Sequence, residues 1–158
     1  MYLCGHPGTG KTSSLNHVLS MMRADVKSEP LLFNAMTYPD VKSFTLVLYE
    51  QLHQQFFGEP AKRKLKRTDD DEDIAYAIER LLVRITQTQK KTGKVMPHRV
   101  IVIDEVDCFS HYEKPLTLLV KHILKPTTGP TRTCIIGIAN SVDLPFRKKH
   151  SGIAMRDT

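Results

Sequence analysis

Eight residues close to the start of the chain, Gly5–Thr12 (GHPGTGKT), constrain its fold more than any other feature. They fit the pattern GxxxxGK[ST], in which glycines let the backbone curl so that its N–H groups face a phosphate. An apolar strand, Met1–Cys4, precedes the loop, and a helix is predicted over Lys11–Asp25, which places the positive end of a helix dipole at the same phosphate. The loop therefore predicts a site for ATP or ADP with Mg²⁺. We expect the nucleotide to be bound by Gly5, Pro7, Gly8, Thr9, Gly10, Lys11, Thr12 and Ser13.

Two of these residues have defined tasks in such a loop. Lys11 would reach the β- and γ-phosphates, and Thr12 would give its hydroxyl oxygen to Mg²⁺. The apolar strand predicted at Arg99–Glu105 (RVIVIDE) ends in carboxylates, of which Asp104 would hold Mg²⁺ through water. Glu105 would act as the general base that polarises the attacking water. Taken alone, the Asp-Glu pair could equally end a strand in solvent.

Asn140 ends a further apolar strand, which is predicted over Arg132–Asn140. The carboxyl ends of parallel strands meet at one edge of a sheet, so Asn140 would lie at the same edge as Asp104. An amide there could orient the attacking water or touch the γ-phosphate. A turn-forming asparagine after a strand is also common, and spacing alone does not decide between the two.

Strands and helices alternate along the chain. A short strand is predicted at Pro30–Met36, and helices are predicted after a cap at Asp40, over about 72–89 and at Glu113–Lys125. Residues 58–73 and 90–98 are expected to be irregular or linking segments. Continuous apolar strands separated by helices indicate a parallel sheet covered on both faces, an α/β fold, and 158 residues fit a single domain.

Bulk composition adds weaker constraints. The net charge of +6 favours polyanionic partners, and no apolar run reaches membrane-spanning length. The basic block AKRKLKR (61–67) could be a nuclear-localisation patch or a DNA-contacting loop. We favour a solvated loop that is balanced by the acidic block after it. The cysteines, Cys4, Cys108 and Cys134, match no zinc pattern and are expected to be buried free thiols.

Four stretches together resemble one family. The strings YLCGHPGTGKT and FNAMTYPD, the DEVD at Asp104–Asp107 and the IIGIANSVDLP at Ile135–Pro145 are similar to AAA+ ATPases of the replication-initiator clade. That clade contains the largest subunit of the origin recognition complex and the cell-division-cycle protein that helps to load the MCM helicase. The resemblance implies a three-layer P-loop NTPase (AAA+) core with a mainly parallel sheet. Within it Gly5–Thr12 would be Walker A, Asp104 and Glu105 Walker B, and Asn140 sensor 1.

The resemblance also implies a function. ATP would serve as an assembly switch in origin recognition and MCM helicase loading, with other AAA+ initiator subunits and the MCM-loading machinery as partners. Origin DNA would be contacted through the full-length protein, in the nucleus if the protein is eukaryotic and in the cytoplasm otherwise, with no membrane partner. Residues 1–158 would form a partial AAA+ domain, truncated before the helical lid that carries the sensor 2 arginine and before the winged helix. Slow hydrolysis is therefore expected, and Arg147 is not assigned as an arginine finger.

Two other functions are compatible with the motifs. One is a structural nucleotide-binding subunit of an origin complex that does not hydrolyse ATP. The other is a different AAA+ ATPase such as a clamp-loader subunit, although the cysteine-rich zinc module typical of clamp loaders does not occur in this sequence.

Overall fold

The structure, a computed structural model, describes residues 1–26, 30–61, 65–92, 98–125 and 132–140. Strands and helices alternate in it as the sequence predicts. In chain order they are β1 (Tyr2–Cys4), α1 (Lys11–Val26), β2 (Leu31–Asn34), α2 (Val41–Phe57), α3 (Asp71–Thr92), β3 (Arg99–Asp104), α4 (Glu113–Leu124) and β4 (Thr133–Ala139). Two 3-10 helices, Ala35–Thr37 after β2 and Val106–Tyr112 after β3, were not expected from the sequence.

The four strands form one parallel sheet in the order β1-β4-β3-β2. The predicted parallel α/β fold is therefore confirmed. The last of the described strands, β4, is inserted between β1 and β3, so that Ala139 pairs with Cys4 and Gly137 with Ile103. As a result the phosphate loop after β1, the end of β4 and the end of β3 follow one another along a single edge.

One face of the sheet is covered by α2, α3 and α4 and the other by α1, which makes three layers. Successive side chains of a strand point to opposite faces. Ile101 and Ile103 of β3 accordingly pack into the larger core with α2, α3 and α4. Val102 packs on the other face with Leu15 and Leu19 of α1. α1 is thereby fixed against the strands whose ends surround the loop.

Local signals set the ends of α2. Asp40 has extended backbone geometry, and its carboxylate accepts the N–H of Ser43 at 2.7 Å, which caps the first turn. Gly58 ends the helix in the left-handed conformation at φ 69°, and its N–H bonds to the carbonyl of Gln54. The segment that follows folds back on this helix, since Arg67 is paired with Asp40. Part of the basic block, Lys62–Lys64, lies outside the described residues, so its role stays a prediction.

Two further details differ from expectation. The helix predicted over 72–89 continues to Thr92. Cys4, Cys108 and Cys134 are free thiols, as predicted, but all three are exposed. Cys4 is the last residue of β1 and Cys134 the second of β4. An apolar run in a sequence does not separate such strand ends from the covered middle of a strand.

No helix in the described part of the chain combines the length and the apolar character needed to cross a membrane.

Candidate nucleotide-binding site

The glycine loop is held open by its own backbone geometry. Gly8 and Gly10 have φ of 78° and 81°, values that side-chain-bearing residues rarely adopt. The hydroxyl of Thr9 donates to the carbonyl of His6 at 2.9 Å, which closes the turn that contains Gly8. The loop thus has a defined shape that depends on glycine at two positions.

The loop leads directly into α1. The first helical bond runs from the N–H of Ser14 to the carbonyl of Gly10 at 2.8 Å, which leaves the N–H groups of residues 11–13 without helical acceptors. No acidic residue lies in the first turn of α1 to offset the positive end of its dipole. This end of the helix is therefore suited to bind an anion.

Lys11 extends back across the loop. Its Nζ donates to the carbonyls of Gly5 at 2.8 Å and His6 at 3.0 Å, and to Oδ1 of Asn140 at 3.1 Å. All three donors of the ammonium group are used inside the site. The amine is consequently held over the mouth of the loop, within reach of a phosphate that replaces one of these acceptors.

Thr12 and Asp104, which are predicted to hold Mg²⁺, contact each other. The hydroxyl of Thr12 donates to Oδ2 of Asp104 at 2.9 Å, while Oδ1 of Asp104 accepts the N–H of Glu105 at 2.9 Å. A hydroxyl and a carboxylate at this separation offer the oxygen ligands that Mg²⁺ prefers, and Mg²⁺ commonly takes its remaining ligands from phosphate and water. The described residues contain no cluster of three or more His, Cys, Asp and Glu that could hold a metal alone. These two residues thus fit a magnesium ion that arrives with a nucleotide.

Glu105 owes its position to an unusual backbone conformation. It has φ 53° and ψ 38° and is the one non-glycine residue with positive φ in the part of the chain that the structure describes. In a continued strand, Glu105 would point to the opposite face from Asp104. The left-handed turn brings its carboxylate back to the loop instead, where Oε2 accepts from Nδ2 of Asn140 at 2.6 Å.

Asn140 joins the two halves of the site. Its amide oxygen accepts from Lys11 at 3.1 Å, and its amide nitrogen donates to Glu105. The structure thereby brings together the end of β3, the end of β4 and the phosphate loop, as the sequence predicts. The role of Asn140 as a sensor of the γ-phosphate stays a prediction.

A cavity of about 330 Å³ opens between these groups. Of the eleven predicted site residues, Gly5 and Thr9 do not line this cavity. They contribute to the loop instead: the carbonyl of Gly5 accepts from Lys11, and the hydroxyl of Thr9 donates to His6. The cavity is lined by Pro7, Gly8, Gly10, Lys11, Thr12, Ser13, Asp104, Glu105 and Asn140.

Two further residues shape the site. Gly137 lies buried in β4, where an added Cβ would come within 3.3 Å of Val106, the residue after Glu105. A glycine inside an apolar strand is the sequence signal for such a close approach. Asp107 accepts the N–H of Asn140 at 3.4 Å, a contact that no local sequence pattern indicates.

A protein-family model described as "AAA domain" matches residues 1–141. The chain is 25% identical over 148 residues to the human cell division control protein 6 homolog, covering 93% of this chain and 23% of that protein. It is 28% identical over 149 residues to cell division control protein 18 of Schizosaccharomyces pombe, with coverage of 93% and 23%. It is 26% identical over 148 residues to origin recognition complex subunit 1 of Plasmodium falciparum, with coverage of 93% and 11%.

Among solved structures, the Aeropyrum pernix ORC1 protein in complex with DNA superposes with a TM-score of 0.56 at 19% identity, covering 89% of this chain and 33% of that one. This likeness supports the fold. The chain spans at most about a quarter of the length of these curated relatives. The chain belongs to the AAA domain family, in which it resembles the replication initiators of the origin recognition complex subunit 1 and cell division control protein 6 group.

Proposed function

We propose that this domain binds ATP with Mg²⁺ and hydrolyses it slowly as part of a replication initiator. One observation carries the proposal. Asn140 bridges Lys11 and Glu105 beside the Thr12–Asp104 pair, in a single cavity at the carboxyl edge of the sheet. A phosphate-binding cation, a magnesium pair, a base and a water-orienting amide are the groups that phosphoryl transfer to water requires.

Each residue of the site would have a separate role in ATP hydrolysis. Lys11 and the N–H groups at the start of α1 hold the β- and γ-phosphates, and Asn140 aligns the attacking water. The water oxygen forms a bond to the γ-phosphorus as the bond to the β–γ bridging oxygen breaks, and Glu105 accepts the proton that the water releases. Mg²⁺, held by Thr12 and Asp104, would neutralise charge on the β- and γ-phosphate oxygens.

Charge compensation in the cavity is incomplete. Lys11 is the one cationic side chain among the described residues that line it. In related phosphoryl-transfer sites, an additional arginine that reaches the γ-phosphate accelerates hydrolysis by roughly 10³–10⁵. We therefore expect slow turnover by this chain alone and faster turnover when another subunit supplies a cation. Bound ATP would then favour assembly, which is the predicted switch.

The initiator role rests on the relatives. Their names place them in cell division control and in the origin recognition complex, and the structural neighbour is described as bound to DNA. From these likenesses we propose other initiator subunits and the MCM-loading machinery as partners. The net charge of +6 is consistent with contact to origin DNA by the full-length protein. A nuclear location, and a helical lid that follows residue 158, stay predictions of the same kind.

Replacement of Glu105 tests the hydrolytic step. With the chain in excess over ATP, Glu105→Gln should keep nucleotide affinity within about twofold and lower phosphate release by roughly 10²–10⁴, since the base is lost and the shape is kept. Equal release by both proteins would contradict hydrolysis at this site. That result would favour the second candidate, a structural nucleotide-binding subunit. Two observations support this candidate: the short bond between Glu105 and Asn140, and the lack of a second cation among the described residues that line the cavity.

A further inference from the structure

Asp107 lies two residues beyond Glu105, in the first turn of the 3-10 helix Val106–Tyr112. Its Oδ2 accepts the backbone N–H of Asn140 at 3.4 Å. Its Oδ1 is buried and has no hydrogen-bond partner among the described residues. A buried carboxylate oxygen without a hydrogen-bond partner costs free energy.

The direction of the β4 hydrogen bonds explains why Asn140 needs such an acceptor. In a parallel strand, alternate residues bond to opposite neighbours. The N–H of Gly137 donates to Met1 and the carbonyl of Ile135 accepts from Met1, so the odd-numbered residues face β1. The N–H of Asn140 therefore faces β3. β3 has already ended at Asp104, and the chain has turned away through the left-handed Glu105.

Asp107 supplies the acceptor that the end of β3 does not. Its carboxylate ties the backbone of Asn140 to the segment that carries Glu105, across the gap between the two strand ends. From this geometry we propose that Asp107 is a positioning residue: it sets the side chain of Asn140 between Lys11 and Glu105 and thereby the affinity of the site for the γ-phosphate. The inference rests on the proposed nucleotide-binding function and deepens it. Asp107 itself does not line the cavity.

A simpler role for Asp107 would be to stabilise the positive end of its own 3-10 helix. That role leaves Asn140 unaffected, so the two can be separated. If Asp107 acts through Asn140, its loss should weaken binding of ATP, whose γ-phosphate would lie near Asn140 in the proposed site, and leave binding of ADP unchanged.

The test compares the affinities of ATP and ADP for the wild type, Asp107→Ala and Asp107→Asn. Asp107→Ala should weaken ATP roughly tenfold, the size of one hydrogen-bond contribution, and ADP by less than about twofold. Asp107→Asn keeps an oxygen acceptor and should retain the wild-type ratio. In an Asn140→Ala background, Asp107→Ala should cause no further change in the ratio, because the two residues act as one unit. An unchanged ratio, an equal loss of ATP and ADP, or additive effects would overturn the proposal.

Hydrogen exchange gives a readout that does not involve nucleotide. The backbone N–H of Asn140 should exchange faster in Asp107→Ala than in the wild type, as measured by NMR. In Asp107→Asn it should exchange at the wild-type rate. Unchanged exchange in Asp107→Ala would overturn the positioning role even if ATP binds. A different pair of results would separate the two claims. If Asn140 exchanges faster in Asp107→Ala but Lys11→Ala does not change the affinity for ATP, the contact is supported and the proposed function is contradicted. If Asp107→Ala does not fold, Asp107→Ser, which has a shorter side chain, is measured with the same expectations.

Discussion

Glu105 is the residue at which backbone conformation and proposed chemistry meet. Its left-handed φ of 53° turns its carboxylate toward the cavity that Asp104 also lines. For a residue with a side chain this conformation costs about 1–2 kcal/mol. The local strain is offset by the packed strands on either side, as is common at functional positions.

Replacement of Glu105 by glycine and by alanine measures that strain directly. Both variants lose the carboxylate and its bond to Asn140, so they differ only in backbone preference. We expect Glu105→Gly to be about 1 kcal/mol more stable than Glu105→Ala in urea unfolding, since glycine adopts positive φ without penalty. At an ordinary position the order is reversed, and finding alanine the more stable variant here would contradict the left-handed geometry.

At the residue scale, the sequence identified the groups that carry local signals. The loop Gly5–Thr12 has a fixed spacing, and Asp104 and Glu105 follow an apolar run. For Asn140, the sequence predicted only a position at the same edge of the sheet as Asp104. It did not predict the contacts of Asn140 with Lys11 and Glu105. Asp107 stayed without a role, because its contact depends on where β3 ends relative to β4, and no pattern within either strand specifies that.

The start of α2 gives a test at the scale of one element. Burial alone would raise the pKa of Asp40, but hydrogen bonds from Ser43 and the charge of Arg67 outweigh it and lower the pKa. Asp40→Ala should lower the free energy of unfolding by about 1 kcal/mol because the N-cap is lost. Asp40→Asn keeps an acceptor for the N–H of Ser43 and should lose less. Equal losses in the two variants would show that the charge, rather than the cap, matters.

The contact between α3 and α4 predicts a pH dependence. Glu79 of α3 accepts from Lys125 and from His122 of α4, each at 2.7 Å. The bond from Lys125 is the main cause that holds the pKa of Glu79 below its ordinary value of 4.5, and burial only partly opposes it. Because the folded-state pKa is lowered, the stabilisation is present above pH 4.5 and is lost as the pH falls through the folded-state pKa.

Urea unfolding at pH ~6 and ~3 should therefore show a larger loss of stability for the wild type than for Glu79→Gln, which cannot titrate at this position. Other carboxylates protonate in both proteins, so the difference between the two proteins is the relevant quantity. An identical pH dependence would mean that the Glu79 contact contributes nothing in solution.

At the scale of elements, the type and order of the strands and helices follow from apolar periodicity and from caps such as Asp40. The 3-10 helix after β3 could not be predicted from these signals, because it is formed by the turn at Glu105 and by packing of Val106 against Gly137. The predicted burial of the cysteines was wrong, because apolar neighbours in sequence do not determine whether a side chain is covered in the fold.

At the scale of the whole molecule, sheet order creates the site. The insertion of β4 between β1 and β3 puts Asn140 between Lys11 and Glu105, whereas strands in chain order would separate them. The parallel α/β class was predictable from the apolar strands. The strand order was not, because alternating strands and helices are compatible with several orders.

Nucleotide binding by the chain tests the central claim most directly. Titration with ATP and Mg²⁺ should give saturable binding by the wild type, binding weakened roughly tenfold or more by Lys11→Ala, and wild-type binding by Lys121→Ala, which removes an exposed lysine of α4 outside the cavity. Equal affinity of ATP for all three proteins would contradict a phosphate site at the glycine loop and, with it, the proposed ATPase.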